Sequence, residues 1–299
     1  MSNMKSLVIL RESGGIGNQF FLYTFYLHLS KKFPDRLFLF DKSPYYRRFS
    51  KRRNELSLKW NTFYRLHHFF HVRHLNRLLA KVLYRLGKLN KAFLGTSLLP
   101  IALTESDLKE AASLFSKYRI VVISGHFISP QYIADNLPEL RRMKEIEFPD
   151  PALMNKVLST ESVSVHLRGG HYIEESDVAE TYAPVTANYY RNAIRYMKTR
   201  LKNPHFFIFS NSETYAQSFF PTNKRDLTVV KGYPDYLDFY LMSKCRHNIV
   251  INSTFSYFAS LLNGNEDKIV ICPQKWSGEK VVNNQDGELP ENSWIRLPN

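Results

Sequence analysis

Short apolar runs alternate along this chain with longer stretches whose apolar positions recur every three or four residues. The run within Lys5–Arg11 predicts a strand, and Gly14 to Gln19 then opens an aromatic-rich helix ending near Lys32. Further strands are predicted at 36–40, 120–124, 162–167, 206–210, 227–230, 249–251 and 269–272. Helices are predicted at 104–117, with Thr104 as cap, and at 187–200, 213–219, 236–244 and 255–262. Strand and helix in alternation imply right-handed βαβ units and parallel sheets. The segment Pro138–Pro151 carries the prolines and charges of a crossover. The expected architecture is therefore α/β, two Rossmann-like domains facing a cleft, residues 1–150 and 151–299.

The stretch Asp238–Asn263 reads as helix, buried strand, polar turn and second helix. Its turn, Asn252-Ser253-Thr254, joins the carboxyl end of a strand to a helix amino end, where backbone N–H groups and the helix dipole favour phosphate. Ser253, Thr254 and Ser256 add hydroxyl donors. Capping of the helix by Ser253 or Thr254 accounts for the same residues without a ligand.

Composition narrows the class. At 44% hydrophobic and 23% charged, the 299 residues have the balance of a globular protein. Two cysteines, Cys245 and Cys272, leave no disulfide framework, and a reducing compartment fits. No apolar run reaches membrane-spanning length, and the short apolar stretch near the amino terminus leads directly into a strand. The expectation is a cytoplasmic protein.

The net charge of +14 is local. Tyr45 to Phe93 holds thirteen Lys or Arg against the single acid Glu55, so this segment carries +12 of it. From Leu66 to Leu86, Leu75, Leu78, Leu79, Val82, Leu83 and Leu86 follow helical spacing, while Arg73, Arg77, Lys81 and Arg85 repeat on another face. Phe63, Tyr64, Phe69 and Phe70 lie nearby. This pattern predicts a cationic amphipathic helix. Either it meets an anionic inner membrane surface through residues 60–90, or it packs on its own domain with a solvated basic face.

Two constellations carry candidate chemistry. In Gly14-Gly15-Ile16-Gly17-Asn18-Gln19, glycines after a strand permit positive φ and close approach of a ligand, or simply a tight turn capped by Asn18. In Val163 to Tyr172, His166 and Arg168 share one face of a strand end. An arginine there, followed by Gly169 and Gly170, suits a diphosphate through its planar fork. His166 either bonds a nucleotide or satisfies a backbone carbonyl. Metal chemistry has little support: Asp-x-Asp is absent, and His67, His68, His71 and His74 lack acidic or thiolate neighbours in sequence. No P-loop and no G-x-S-x-G occurs.

GGIGNQFF, GHFISPQY, HLRGGHY, FFIFSNSETYA and the block from Asp238 to Asn263, followed by KIVICPQKW, together resemble the α1,2-fucosyltransferase family in order and composition. The similarity spans Gly14 to Trp276; residues 45–100 have no counterpart and look like an insertion. The resemblance implies a GT-B fold and an inverting, metal-independent transfer of fucose from GDP-fucose to a sugar hydroxyl, α1,2 to galactose of a glycan or lipid-linked oligosaccharide. It places the acceptor on the amino-terminal domain and the nucleotide sugar on the carboxyl-terminal one. His166 and Arg168 would hold the nucleotide, Arg168 stabilising the leaving GDP. Asn252, Ser253, Thr254 and Ser256 would take the diphosphate, and Asp238 the guanine. Gly15, Gly17, Asn18 and Gln19 would touch donor or acceptor. Glu174 or Glu175 is the expected base.

The chain departs from the family at Gly169, where the pattern has arginine, and at His171, where it has aspartate. Tyr257-Phe258 stands for Trp-Trp, and Asn211-Ser212 for Asp-Asp. A non-catalytic sugar-nucleotide-binding homologue is the alternative these departures raise. A basic nucleic-acid-binding protein is a further one, raised by the charged segment but opposed by the near-neutral carboxyl half.

Overall fold

A computed structural model describes residues 6–11, 14–46, 65–168, 185–220, 225–276, 289 and 291–299. The chain forms two compact units, Met1–Lys144 and Glu145–Asn299.

In the first unit a four-stranded sheet runs in the order β2-β1-β4-β3, with every pairing parallel. Its strands are β1 (Leu7–Arg11), β2 (Leu37–Asp41), β3 (Ile101–Thr104) and β4 (Ile120–Ser124). Val8, Ile9 and Leu10 are all fully buried, because helices cover both faces of a parallel sheet and leave no solvated side for a polar alternation. Helix α1 (Ile16–Lys32) buries Phe20, Phe21 and Phe25, the last stacked on Phe127 at 4.1 Å. The remaining helices are α2 (Leu66–Phe69), α3 (Arg77–Leu89), α4 (Ala111–Lys117), α5 (Pro130–Ala134) and α6 (Leu137–Leu140).

Two expectations for this unit need correction. Leu66–Leu86 is not one helix. The chain leaves α2 and runs extended beside β2, where the Phe40 amide donates to Arg73 O (2.8 Å) and the Leu75 amide to Phe40 O (3.0 Å). An open sheet edge offers unpaired backbone groups, and satisfying them outweighs the helical spacing of the leucines. Nor does Thr104 start a long helix. It ends β3, a strand absent from the sequence reading, and its amide and hydroxyl both donate to Asp107 Oδ2.

Helix α3 begins at Asn76, whose Oδ1 accepts from the Leu78 and Leu79 amides. Its buried positions are the small residues Ala80 and Gly87, and a Cβ on Gly87 would meet Ala102 N at 2.8 Å. The helix therefore lies against β3 through its narrowest stripe and leaves its large apolar side chains outside. Leu78 is 67% exposed and Val82 51%; beyond the helix Phe93 is 81% exposed and Leu98 92%.

The second unit holds a six-stranded sheet of order β10-β9-β8-β5-β6-β7, again wholly parallel. Its strands are β5 (Glu161–Leu167), β6 (Pro204–Ser210), β7 (Leu227–Val230), β8 (His247–Ile249), β9 (Val270–Pro273) and β10 (Ile295–Leu297). The helices are α7 (Pro151–Ser159), α8 (Ala187–Arg200), α9 (Glu213–Phe219), α10 (Asp235–Lys244) and α11 (Thr254–Leu261). Helix α7, capped by Asp150 with proline in its first turn, follows the crossover, and neither it nor the edge strand β10 is among the elements predicted from the sequence.

The expected strand 249–251 starts earlier, at His247. Polar residues enter this central strand because each finds a partner. His247 Nε2 meets Glu161 Oε1 at 2.9 Å, its Nδ1 accepts from the Ile269 amide, and Asn248 donates to Ser164 Oγ. Both cysteines are free and buried. Among the described residues, no helix is long and apolar enough to cross a membrane.

Candidate functional site

In the second unit the strand order fixes where a crevice opens. From β5 the chain passes through α8 to β6 on one side. From β8, which pairs with β5 on its other flank, it passes through α11 to β9 in the opposite direction. At the carboxyl ends of β5 and β8 the connections diverge, the position at which open parallel sheets bind ligands. His166 and Arg168 stand at the end of β5, and the turn Asn252-Ser253-Thr254 at the end of β8.

The turn is shaped for this position. Ser253 occupies the N-cap of α11, yet its hydroxyl takes no capping hydrogen bond. The Ser253 amide donates back to Ile251 O at 2.7 Å, folding the chain tightly into the helix. Ser256 differs from its expected role. It is fully buried, and its hydroxyl lies within hydrogen-bond distance of Ile251 and Ser253 backbone atoms, so it holds the turn together.

Aromatic contacts tie the elements around the crevice. The His166 ring lies 5.4 Å from that of Phe255, which packs edge-on against Phe239 at 5.5 Å. Phe239 adjoins Asp238 in the first turns of α10, whose amino end follows the carboxyl end of β7. Asp238 thus belongs to the same edge of the sheet. His166 Nδ1 and Asp238 Oδ1 are both buried, and neither has a hydrogen-bond partner among the described residues. Unsatisfied buried polar atoms are uncommon in folded proteins, and here two stand at one sheet edge.

Their titration follows from the same burial. His166 is lowered to about 3, first by loss of solvation and then by the Arg168 charge, so it is a neutral imidazole at physiological pH. Asp238 is raised to about 8 by burial, with Asp235 adding to the effect. A buried carboxyl of this kind is largely protonated at pH 7, and a donor or cation that reaches it favours the ionised form.

Two residues overlooked in the sequence support this edge. Tyr189, fully buried, donates its hydroxyl to Val250 O and Ile271 O, pinning α8 across β8 and β9. Tyr190 accepts the Arg168 backbone amide on its phenol oxygen. The signal available was only a Tyr-Tyr pair at the start of a predicted helix, which core packing explains equally well.

In the first unit, Gly14 has φ +80°, and a Cβ there would fall 2.4 Å from Asn18 Nδ2. Glycine at this position lets Asn18 turn back toward His126, with Nδ2 and Nδ1 3.5 Å apart. His126 follows β4, the neighbour of β1, so two strand ends contribute to one polar surface. Its backbone is held by Phe127, whose φ of 52° is unusual for a bulky residue and is stabilised by an amide bond to Glu105 Oε2.

Gln19 does not serve as expected. It is fully buried, accepting the Arg65 and Leu66 amides at 2.8 and 3.1 Å and donating to Gly14 O. It fastens α2 to α1; Gly15 is exposed at the N-cap of α1, and Gly17 is buried in the helix start. Glu174, Glu175, Gly169 and His171 lie outside the described residues. Among the described residues, no group of three or more His, Cys, Asp or Glu is arranged to hold a metal ion. His67 is lowered to about 4 by burial and by its cationic neighbours, His68 first among them.

Residues 144–297, spanning the second unit and its switch point, match the family described as glycosyl transferase family 11. The chain belongs to glycosyl transferase family 11.

This family 11 glycosyltransferase is 28% identical to the O-antigen biosynthesis glycosyltransferase WbnK of Escherichia coli, over 95% of this chain and 98% of that one. It is 29% identical to an alpha-1,2-colitosyltransferase of Escherichia coli, over 58% of this chain and 61% of that one. Its fold resembles that of fucosyltransferase NodZ from Bradyrhizobium, with TM-score 0.55 and 16% identity over 87% of this chain and 93% of that one. The two parallel-sheet units are those of a GT-B enzyme, the architecture the fucosyltransferase resemblance implied.

Proposed function

We propose that the enzyme transfers fucose from GDP-fucose to a sugar hydroxyl with inversion, forming an α1,2 linkage, and that the second unit binds the donor. The observation that carries this reading is the pair of buried, unpartnered atoms, His166 Nδ1 and Asp238 Oδ1, at the edge where Arg168 and the α11 turn, whose Ser253 makes no side-chain cap, also stand. A guanine presents paired N–H donors to a carboxylate, and a diphosphate suits a helix amino end beside an arginine.

In this mechanism Arg168 stabilises the negative charge that develops on departing GDP. Asn252, Ser253 and Thr254 hold the diphosphate, and neutral His166 hydrogen-bonds the nucleotide without adding charge. Glu174 or Glu175 removes the proton from the attacking hydroxyl. The cationic charge on Arg168 supplies what a divalent metal gives elsewhere, so transfer is expected to proceed in EDTA. The acceptor is assigned to the first unit, at Gly15 and Asn18.

The colitosyltransferase relative favours one specific second reading, in which the donor carries colitose in place of fucose. Parallel initial-rate assays with GDP-fucose and its colitose counterpart, with GDP release and glycan product both followed, separate the two. Binding of GDP with no transfer from either donor would instead support the non-catalytic homologue.

Exposure of large apolar side chains on and after α3 supports peripheral contact with an anionic membrane. Leu78, Leu79, Val82, Leu89, Phe93 and Leu98 project from a stretch that carries Arg77, Lys81, Arg85, Lys88 and Lys91 and no acid. Such a surface gains both from apolar burial and from the negative potential of anionic lipids. The acceptor would then be a lipid-linked oligosaccharide. Co-sedimentation with phosphatidylglycerol vesicles tests this, and equal recovery with neutral vesicles would remove the electrostatic part of the argument.

A further inference from the structure

The first unit contains a cavity of about 320 Å³ against the outer edge of β2, near the strand's amino end. Parallel strands place the Gly14–Asn18 turn at the opposite, carboxyl end of the same sheet, so this cavity is separate from it. Arg36, Arg73 and His71 line it together with Tyr26 and Ser30, and no Asp or Glu is among its described lining residues.

Arg36 is the unusual member. Its side chain is only 12% exposed, and its Nε and Nη1 are buried without hydrogen-bond acceptors among the described residues. The nearest anion, Asp35 Oδ2, stands 3.6 Å from Nε on a side chain 76% exposed, where solvent screens the attraction. A guanidinium does not escape burial by losing its proton, so unmet donors remain a cost to the fold until oxygen acceptors reach them.

The backbone at both arginines is held, at Arg36 by its amide bond to Phe33 O at 3.1 Å and at Arg73 by the pairing of its carbonyl with the Phe40 amide. Two arginine forks around one space match the several acceptor oxygens of a phosphate. Phe38, Phe40 and Val72 add an apolar wall, which suits a phosphate carried on an organic group. We infer that this cavity is a phosphate-binding site, with Arg36 as its inner anchor and Arg73 at its mouth. The phosphate belongs either to a soluble ester or to a lipid headgroup, since the recognising chemistry is the same.

The test is calorimetric titration of the whole chain with inorganic phosphate and with glycerol 3-phosphate at constant ionic strength, alongside Arg73→Ala, Arg36→Met and Lys202→Ala. Arg73 is exposed, so its variant is expected to fold even where Arg36→Met does not. The expected result is saturable phosphate binding weakened at least tenfold by Arg73→Ala and by Arg36→Met, and unchanged by Lys202→Ala, which removes an equal charge at an exposed position of the second unit. Equal binding in wild type, Arg73→Ala and Lys202→Ala overturns the site, as does absence of saturable binding with either phosphate and with vesicles. Sedimentation with phosphatidylglycerol vesicles then separates the sources, with Lys81→Ala as the measure of what one charge on the α3 face is worth there. A loss with Arg73→Ala exceeding that with Lys81→Ala identifies a headgroup phosphate, and equal losses beside an intact soluble response identify a soluble ester.

Discussion

The side-chain amide of Asn263 donates to Oδ1 of Asn248 at 2.7 Å, and both residues are buried. Asn248 in turn donates to Ser164 Oγ and to Met242 O, so the pair links the end of α11 to β8, β5 and α10. Replacing Asn263 with alanine leaves a buried oxygen without its donor, at a cost of about 1–3 kcal/mol. Urea unfolding of Asn263→Ala should show a lower midpoint with an unchanged slope, while GDP affinity of the folded protein stays at the wild-type value. A loss of GDP binding in folded Asn263→Ala would instead place this pair within the donor site.

Arg168 and Tyr190 separate chemistry from positioning. Removing the guanidinium in Arg168→Ala deletes the charge proposed to meet the leaving GDP, and losses of this kind reach about 100- to 1,000-fold in kcat. Tyr190→Phe removes only the phenol that accepts the Arg168 amide, an interaction worth about 1 kcal/mol, so about a fivefold decrease is expected. Initial rates at saturating donor, with circular dichroism as the fold control, test the ranking. Equal rates for Arg168→Ala and wild type would end the assignment.

Those residues also mark how far the sequence was readable. The motif ending in Asn263 identified the α11 turn and the two-unit α/β fold because strand runs and helical spacing agree there. It did not distinguish which motif residues face a ligand. Ser256 and Gln19 read as candidate polar contacts and Asn248 falls outside every predicted element, yet each spends its hydrogen bonds inside the protein. Short edge strands such as β3 and β10 escaped because three or four residues carry too little periodicity, and their pairing comes from tertiary neighbours. The extended path of Arg73 to Leu75 escaped for the converse reason: local helical spacing was real but lost to the open edge of β2.

Asp238 makes donor binding sensitive to pH. Its carboxyl is raised to about 8 in the free protein, above its unfolded value of 3.8, so burial destabilises the fold increasingly as pH rises between those values. A guanine that pairs with the carboxylate must displace its proton. GDP affinity should therefore increase from pH 6 toward pH 8 and then level off, with proton release measurable by calorimetry in buffers of different ionisation enthalpy. Asp238→Asn should raise the melting temperature at pH 8, lose most GDP affinity and flatten the profile. Wild-type GDP affinity with an unchanged pH profile in this variant would show that the guanine lies elsewhere.

Gly87 and Leu89 occupy opposite sides of α3 and should respond in opposite ways. A Cβ at Gly87 would approach Ala102 N to 2.8 Å and Ile101 C to 3.0 Å, both backbone atoms, so the helix must lift from β3. Gly87→Ala is expected to cost about 1–3 kcal/mol by overpacking. Leu89 is 52% exposed and Leu78 67%, so converting both to serine should leave stability within about 0.5 kcal/mol per site. If α3 rests on a membrane, those two leucines lose apolar burial there, about 1.5–3 kcal/mol each for full insertion, and vesicle binding falls at least tenfold. Retained binding in the double serine variant, with its melting temperature unchanged, would assign the exposed face of α3 to another role.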